Sequence, residues 1–297
     1  MDLPSVAREI RKEVIRMLGK AGSGHPGGSL SAAEIVTCLF FQAMRHDPKN
    51  PKWEERDRFV LSKGHGVPVV YAAMAQAGYF PKELLDTLRR LGSPLQGHPD
   101  TRFMPALEAC TGSLGQGLSI SSGLALSIQM SAKGGSASGG DKPDHRRVYC
   151  LMSDGETEEG QTWEAAAFAG FRKLDRLIAI LDYNGFQLDG AIKDILDLEP
   201  LRAKWESFRW HVQEVDGHNI PQILEALEKA KQAKGQPHMI IAHTVKGKGV
   251  SFMENNNYFH GVAPTREEAE AAIKELDGDP SLSQALVAAG KIKKGGK

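Results

Sequence analysis

Residues 147–185 read RVYCLMSDGETEEGQTWEAAAFAGFRKLDRLIAILDYNG. Two short apolar runs, 147–152 and 177–181, flank a stretch of helix formers, 161–174. Each run is continuous rather than alternating, the pattern of a strand buried on both faces. Strand, helix and strand in succession imply a parallel crossover, and so an α/β fold with a mostly parallel central sheet flanked by helices. In such a sheet ligands bind beyond the carboxyl ends of the strands. The residues to inspect are therefore Asp154-Gly155-Glu156 and Asp182-Tyr183-Asn184, which follow the two runs.

The same grammar extends outward. Further strands are expected at 58–62, 210–215 and 239–245, and helices at 31–44, 67–77, 116–130 and 221–234. Ser31 and Glu34 have the spacing of a capping box that would start the first of these helices. The other strands run into Ser62-Lys63-Gly64-His65, Asp216-Gly217-His218 and Lys246-Gly247-Lys248-Gly249. One sheet edge thus gathers acid, amide, imidazole and amine. A main domain is expected over 1–264, and 265–297 forms a C-terminal helical tail with a helix at 266–276 and a basic end that frays. The Gly/Ser-rich stretch 133–144 has the composition of a surface loop and is assigned no chemistry.

The 297 residues carry 37 basic and 37 acidic side chains, with 41% hydrophobic residues, the profile of a soluble globular protein. Zero formal charge gives no long-range field for nucleic acid or an anionic membrane, so an anionic ligand must be held by local donors or a metal. Neither nucleic acid nor membrane is expected as a partner. Cys38, Cys110 and Cys150 have no C-x-x-C spacing, and no secretory or spanning segment is evident, which suits a reduced, cytoplasmic protein.

His25, His65, His98, His218 and His260 each adjoin a glycine, suggesting a ligand-lined cleft where the backbone turns tightly. No H-x-H, H-E-x-x-H or cysteine partner supports a zinc site instead. Asp154 and Asn184 end successive strands, so a crossover would set them side by side to share magnesium or calcium through hard oxygen ligands. Equally, Asp154 could cap the next helix and Asn184 could open a turn with Gly185. Thr111-Gly112-Ser113-Leu114-Gly115-Gln116-Gly117 is a glycine-dense entry to a helix that matches neither a dinucleotide fingerprint nor a P-loop.

These motifs together resemble the transketolase family from the N-terminal helix to about His260. The resemblance is carried by Ser153-Asp154-Gly155 with Asn184 roughly thirty residues on, by residues 155–165 (GETEEGQTWEA), by Gly24-His25-Pro26-Gly27, Ser62-Lys63-Gly64-His65-Gly66 and Gly97-His98-Pro99, and by 111–117, Lys246-Gly247-Lys248-Gly249 and His260-Gly261. It implies a three-layer thiamine-diphosphate-binding fold. It further implies that Asp154, the Asn184 side chain and the Phe186 carbonyl hold Mg2+ or Ca2+, and that His65, Gly155 and Asn184 contact the diphosphate. The backbone of Gly112, Ser113 and Leu114 would meet the aminopyrimidine, and Lys246 with His260 would lie near the diphosphate and substrate. His25, His98 and His260 would face sugar hydroxyls as acid–base groups, and Glu159 would couple active sites across a subunit contact.

Ser153 departs from the glycine usual in the family, a change that leaves the Asp154 side chain in place. Nothing after His260 resembles a second α/β domain, so the resemblance is to the N-terminal subunit of a split transketolase. A C-terminal partner subunit would then carry the pyrimidine-binding domain, with two copies of each subunit. The implied activity is transfer of a two-carbon ketol unit between sugar phosphates, with the chain inactive alone. A split ketol transferase acting on a sulfo-sugar or branched-sugar phosphate is the alternative enzyme, and a non-catalytic cofactor-binding scaffold is the alternative outside catalysis.

Overall fold

The computed structural model describes residues 1–133 and 145–292. Its helices are α1 (Leu3–Ala21), α2 (Pro26–Ser31), α3 (Ala33–Cys38), α4 (Val67–Ala77), α5 (Gln116–Lys133), α6 (Gly160–Arg172), α7 (Ile192–Ile195), α8 (Leu201–Ser207), α9 (Ile220–Gln232), α10 (Arg266–Leu276) and α11 (Ser281–Ala288). Its strands are β1 (Arg58–Leu61), β2 (Val148–Ser153), β3 (Leu177–Tyr183), β4 (His211–Asp216) and β5 (His238–His243). All pairings are parallel, in the order β1-β2-β3-β5-β4.

Alternation along the central strands builds two apolar layers. On β2, Tyr149 and Leu151 enter one core while Val148, Cys150 and Met152 enter the other. On β3, Ile178 and Ile180 oppose Leu177, Ala179 and Leu181 in the same way. The first core is closed by α1, α3, α4 and α9, and the second by α5, α6 and α8. Burial on both faces is why these strands read as unbroken apolar runs. In α1, Val6, Ile10, Val14 and Leu18 bury one stripe, and the helix stops at Gly22, whose left-handed φ of 65° favours glycine.

The expected helix at 31–44 is corrected. The segment is bent into α2, α3 and a π-turn at Leu39–Ala43, with Ala32 at the break. Nor does Ser31 cap anything: its hydroxyl donates to Asp182 at 2.6 Å, and Glu34 is taken by Arg11 and His218. Tertiary partners outbid the local cap. Reciprocal capping boxes instead join Ser153 to Glu156 and Thr265 to Glu268.

The helices after residue 264 pack back on the body: Ala269, Ala271, Ala272 and Leu286 belong to the first core, and α10 lies against α1. The basic end at 293–297, and the Gly/Ser-rich stretch apart from Lys133, fall outside the described residues. Among those described, no helix is long and apolar enough to cross a membrane. Cys38, Cys110 and Cys150 are all free.

Candidate active site

Strand register sets the chemistry. Ser153 pairs with Asp182 and Tyr183 with His243, so the tips of β2, β3 and β5 end level with one another. Asp154 begins the turn after β2 and is fully buried. Its Oδ1 accepts from the Gly155 N–H at 3.0 Å, and its Oδ2 accepts from the Gly185 N–H at 2.5 Å. Asp154 therefore meets the turn that Asn184 opens, as a parallel crossover between β2 and β3 requires. Burial, then repulsion by Asp182, pushes its carboxyl up to about 7. Among the described residues no cationic side chain pairs with it directly, a costly condition for a buried carboxylate. Its chemistry suits a divalent cation. The Asn184 amide donates to Asp182 at 3.4 Å, and its oxygen accepts the Phe186 N–H at 3.2 Å.

Beneath this turn lies a network the sequence did not announce. Lys63 and Asp182 form an ion pair with both side chains fully buried, and Lys63 also donates to the Gly28 carbonyl at 2.7 Å. Asp182 accepts further from Ser31 and Thr244. Burial would raise the Asp182 carboxyl, but the Lys63 ammonium and these donors hold it below the usual carboxylate range. One signal was available: β3 continues past its apolar run to include Asp182, so an acid lies within the buried strand.

Glu156, also fully buried, ties three segments together. It accepts from the Ser62 hydroxyl at 2.5 Å, the Gly115 N–H at 2.9 Å and the Ser153 N–H at 3.0 Å. The loop 111–117 is thereby held over the ends of β1 and β2, and Thr111 adds a hydrogen bond to the Leu61 carbonyl at 2.6 Å. The approach is tight: a Cβ on Gly64 would stand 2.7 Å from the backbone of Thr111 and Gly112. Ser113 is exposed and Leu114 half-buried. Glu159, at the start of α6, is exposed, and a Cβ on Gly115 would stand 3.1 Å from the Glu159 Cβ.

Four of the five glycine-flanked histidines converge. Ring centroids are 5.3 Å apart for His25 and His65, 6.2 Å for His25 and His98, 5.7 Å for His25 and His260, and 5.4 Å for His65 and His260. Burial, followed by nearby cations, lowers His25 to about 4 and His260 to about 3, and takes His65 well below its usual value; His98 is lowered by burial and Arg89. These imidazoles are neutral at pH 7. Lys246, lowered to about 7 chiefly by burial, contacts His260 Nδ1 at 2.7 Å and donates to Asn257 at 2.9 Å, with its ammonium 5.5 Å from the Phe186 ring centroid.

The fifth, His218, does not join them. Its Nδ1 meets Glu34 at 3.0 Å and its Nε2 accepts the Val245 N–H at 2.8 Å, which makes it a pin between α3 and the loop after β5. Among the described residues no three His, Cys, Asp or Glu side chains gather as a metal site.

A parallel sheet whose tips offer a buried carboxylate without a direct ion pair, a fixed amide and a ring of neutral imidazoles defines a cofactor-dependent α/β enzyme domain. The family described as "Transketolase, thiamine diphosphate binding domain" matches residues 4–288, and the chain belongs to the transketolase family. It is 50% identical to the 6-deoxy-6-sulfo-D-fructose transketolase subunit SqwG of Clostridium sp. (strain MSTE9), over 93% of this chain and 97% of that protein. It is 40% identical to an apulose-4-phosphate transketolase subunit of Phocaeicola vulgatus, over 90% of each. A crystal structure of transketolase from Campylobacter jejuni superposes with a TM-score of 0.85 and 34% identity, over 94% of this chain and 43% of that one. The chain thus spans less than half of that solved transketolase and nearly all of the two relatives named as subunits.

Proposed function

We propose that this chain is the cofactor-anchoring N-terminal subunit of a two-chain transketolase. It transfers a two-carbon ketol unit from a ketose phosphate to an aldose phosphate when a C-terminal subunit supplies the pyrimidine-binding domain, with two copies of each. The observation that carries this reading is Asp154, a buried carboxylate with only backbone donors, set against the Asn184 turn. Asp154, Asn184 and the Phe186 carbonyl would hold Mg2+ or Ca2+. His65, Gly155 and Asn184 would bind the diphosphate, the backbone of Gly112, Ser113 and Leu114 the aminopyrimidine, and Glu159 would reach the second active site. The cofactor domain is assigned to 1–264 and the helical tail to 265–297, and the protein is placed in the cytoplasm.

When bound, thiamine diphosphate supplies a thiazolium ring that serves as nucleophile and electron sink. The chain's own part is positioning and proton handling. His25, His98 and His260, kept neutral, can each accept a proton from a sugar hydroxyl or donate one to a carbonyl oxygen. Lys246, lowered to about 7, sets a group that can hold or release a proton beside His260.

The donor we favour testing first is a modified sugar, because two relatives covered nearly end to end are named for sulfofructose and apulose phosphate. The chain is to be assayed with thiamine diphosphate and Mg2+, alone and with C-terminal subunits, against fructose 6-phosphate, 6-deoxy-6-sulfo-D-fructose and apulose 4-phosphate. Turnover should require both chains; substantial ketol transfer by the single chain defeats the two-chain reading.

A further inference from the structure

A second polar cluster lies at the amino edge of the sheet. A cavity of about 330 Å³ opens between the starts of β1 and β2 and the end of α9, lined by Arg45, Asp57, His145, Arg147, Tyr149 and Lys231. From Arg147 to Asp154 the chain traverses the whole of β2, ~23 Å at ~3.3 Å per residue, so this cavity is separate from the strand tips.

Its wall is short of acceptors. Arg147 Nη2 donates to the Lys231 carbonyl at 2.5 Å, but Nη1 is buried with no partner. Two residues on, the buried Tyr149 hydroxyl also has none. Asp57 lines the same space, yet it already accepts the N–H groups of Arg45 at 2.9 Å and Arg147 at 2.8 Å, with the Arg45 guanidinium at 3.7 Å. Lys231 donates to the Ala43 carbonyl at 2.9 Å and to Glu228 at 2.6 Å. Two guanidinium groups therefore face one lining carboxylate, while Lys231 is paired with Glu228. Buried donors are almost always paired, and an orphan pair in a cavity wall marks a place where something else supplies the acceptor.

We propose that this cavity binds a phosphate-class oxyanion, either free phosphate or the head of a phosphomonoester. Such a ligand only accepts hydrogen bonds from guanidinium and phenol, and it balances the excess positive charge. The space is at the lower end of the ~300–1,000 Å³ range of small-molecule pockets, room for a phosphate with a short carbon skeleton.

The test uses the full chain without cofactor, titrated calorimetrically with inorganic phosphate and with glycerol 3-phosphate at matched ionic strength. Saturable one-site binding is expected, with a rise in melting temperature. Tyr149→Phe, nearly isosteric, should raise the melting temperature of the free protein by removing an unpaired hydroxyl. It should also weaken phosphate binding about tenfold, the scale of one hydrogen bond to a charged group. Arg45→Met and Lys231→Met should weaken binding too, whereas Lys246→Met at the opposite edge should leave it unchanged. Tighter binding of glycerol 3-phosphate assigns the site to a phosphorylated metabolite, and equal binding to free phosphate. The proposal is overturned if binding is not saturable, or if it survives the three amino-edge variants and disappears with Lys246→Met.

Discussion

Asp154 combines full burial with two backbone donors and no direct ion pair, so the nearby Lys63 charge offsets only part of the cost of ionising it and a bound cation would stabilise it further. Asp154→Asn keeps the shape and removes the charge. Magnesium-dependent thiamine diphosphate affinity should fall by at least about tenfold, as for loss of a charge-assisted contact, while the metal-free chain melts no lower. Calorimetry with Mg2+ and circular dichroism read the two effects, and undiminished affinity would remove the proposed metal site. The lowered site histidines all cost stability in acid, and His238 adds to them from outside the site. His238 is fully buried with both ring nitrogens unpartnered, and burial, then His211, lowers it to about 4. The unfolded chain takes up this proton near 6.5, before the folded one does, so stability is lost as pH falls from about 6.5 toward 4, by at most ~3 kcal/mol. His238→Phe should flatten that part of a urea-denaturation pH profile; an unchanged slope would show that His238 is not responsible. Asp154 and Asn184 were legible because strand ends can be found without knowing the fold. The Lys63–Asp182 pair was not, since its partners lie 119 residues apart and either could have been a surface charge.

Segments were legible in proportion to how far local pattern decided them. The β2 and β3 runs are apolar on both faces, and their predicted limits agree with the structure to within two residues. The stretch 31–44 departs from its local pattern because its polar side chains answer to distant elements, Ser31 to β3 and Glu34 to α1 and the loop after β4. The short helical turn at Asp154–Glu158 shows the same dependence, since Glu156 links it to the end of β1 and to the loop before α5. Glu156→Ala strips acceptors from a hydroxyl and two N–H groups at once. We expect a loss of about 3 kcal/mol in denaturant unfolding, from buried donors left unpaired, and weaker thiamine diphosphate binding as loop 111–117 loosens. Glu156→Gln, which keeps one acceptor oxygen, should recover part of both. Equal effects from the two substitutions would mean that one neutral acceptor oxygen does not help and that the full carboxylate is what matters there.

At the scale of the molecule, the described surface is uneven in a way that charge and composition could not reveal. The outer faces of α5 and α6 lie side by side and carry Ile120, Met130, Phe168 and Phe171, the last 69% exposed. Gly123, between the two α5 residues, leaves open space, so the face is flat enough for close approach. Ile120 lies near the loop 111–117, whereas Met130, Phe168 and Phe171 lie toward the far ends of α5 and α6, where the Gln129 amide donates to the Arg172 carbonyl at 3.3 Å. Exposed apolar side chains on adjoining helices are where a partner chain would bury surface. Phe171→Glu should therefore leave the circular dichroism spectrum and melting of the isolated chain within error, because the side chain makes little contact in it. With the proposed C-terminal subunit present, the same change should weaken assembly at least about tenfold, a loss of ~1.4 kcal/mol or more as expected for burying a charge in an apolar contact. Analytical ultracentrifugation of the mixed chains measures this. Assembly undisturbed by Phe171→Glu would place the partner on another face and leave the α5–α6 patch without a role in completing the site.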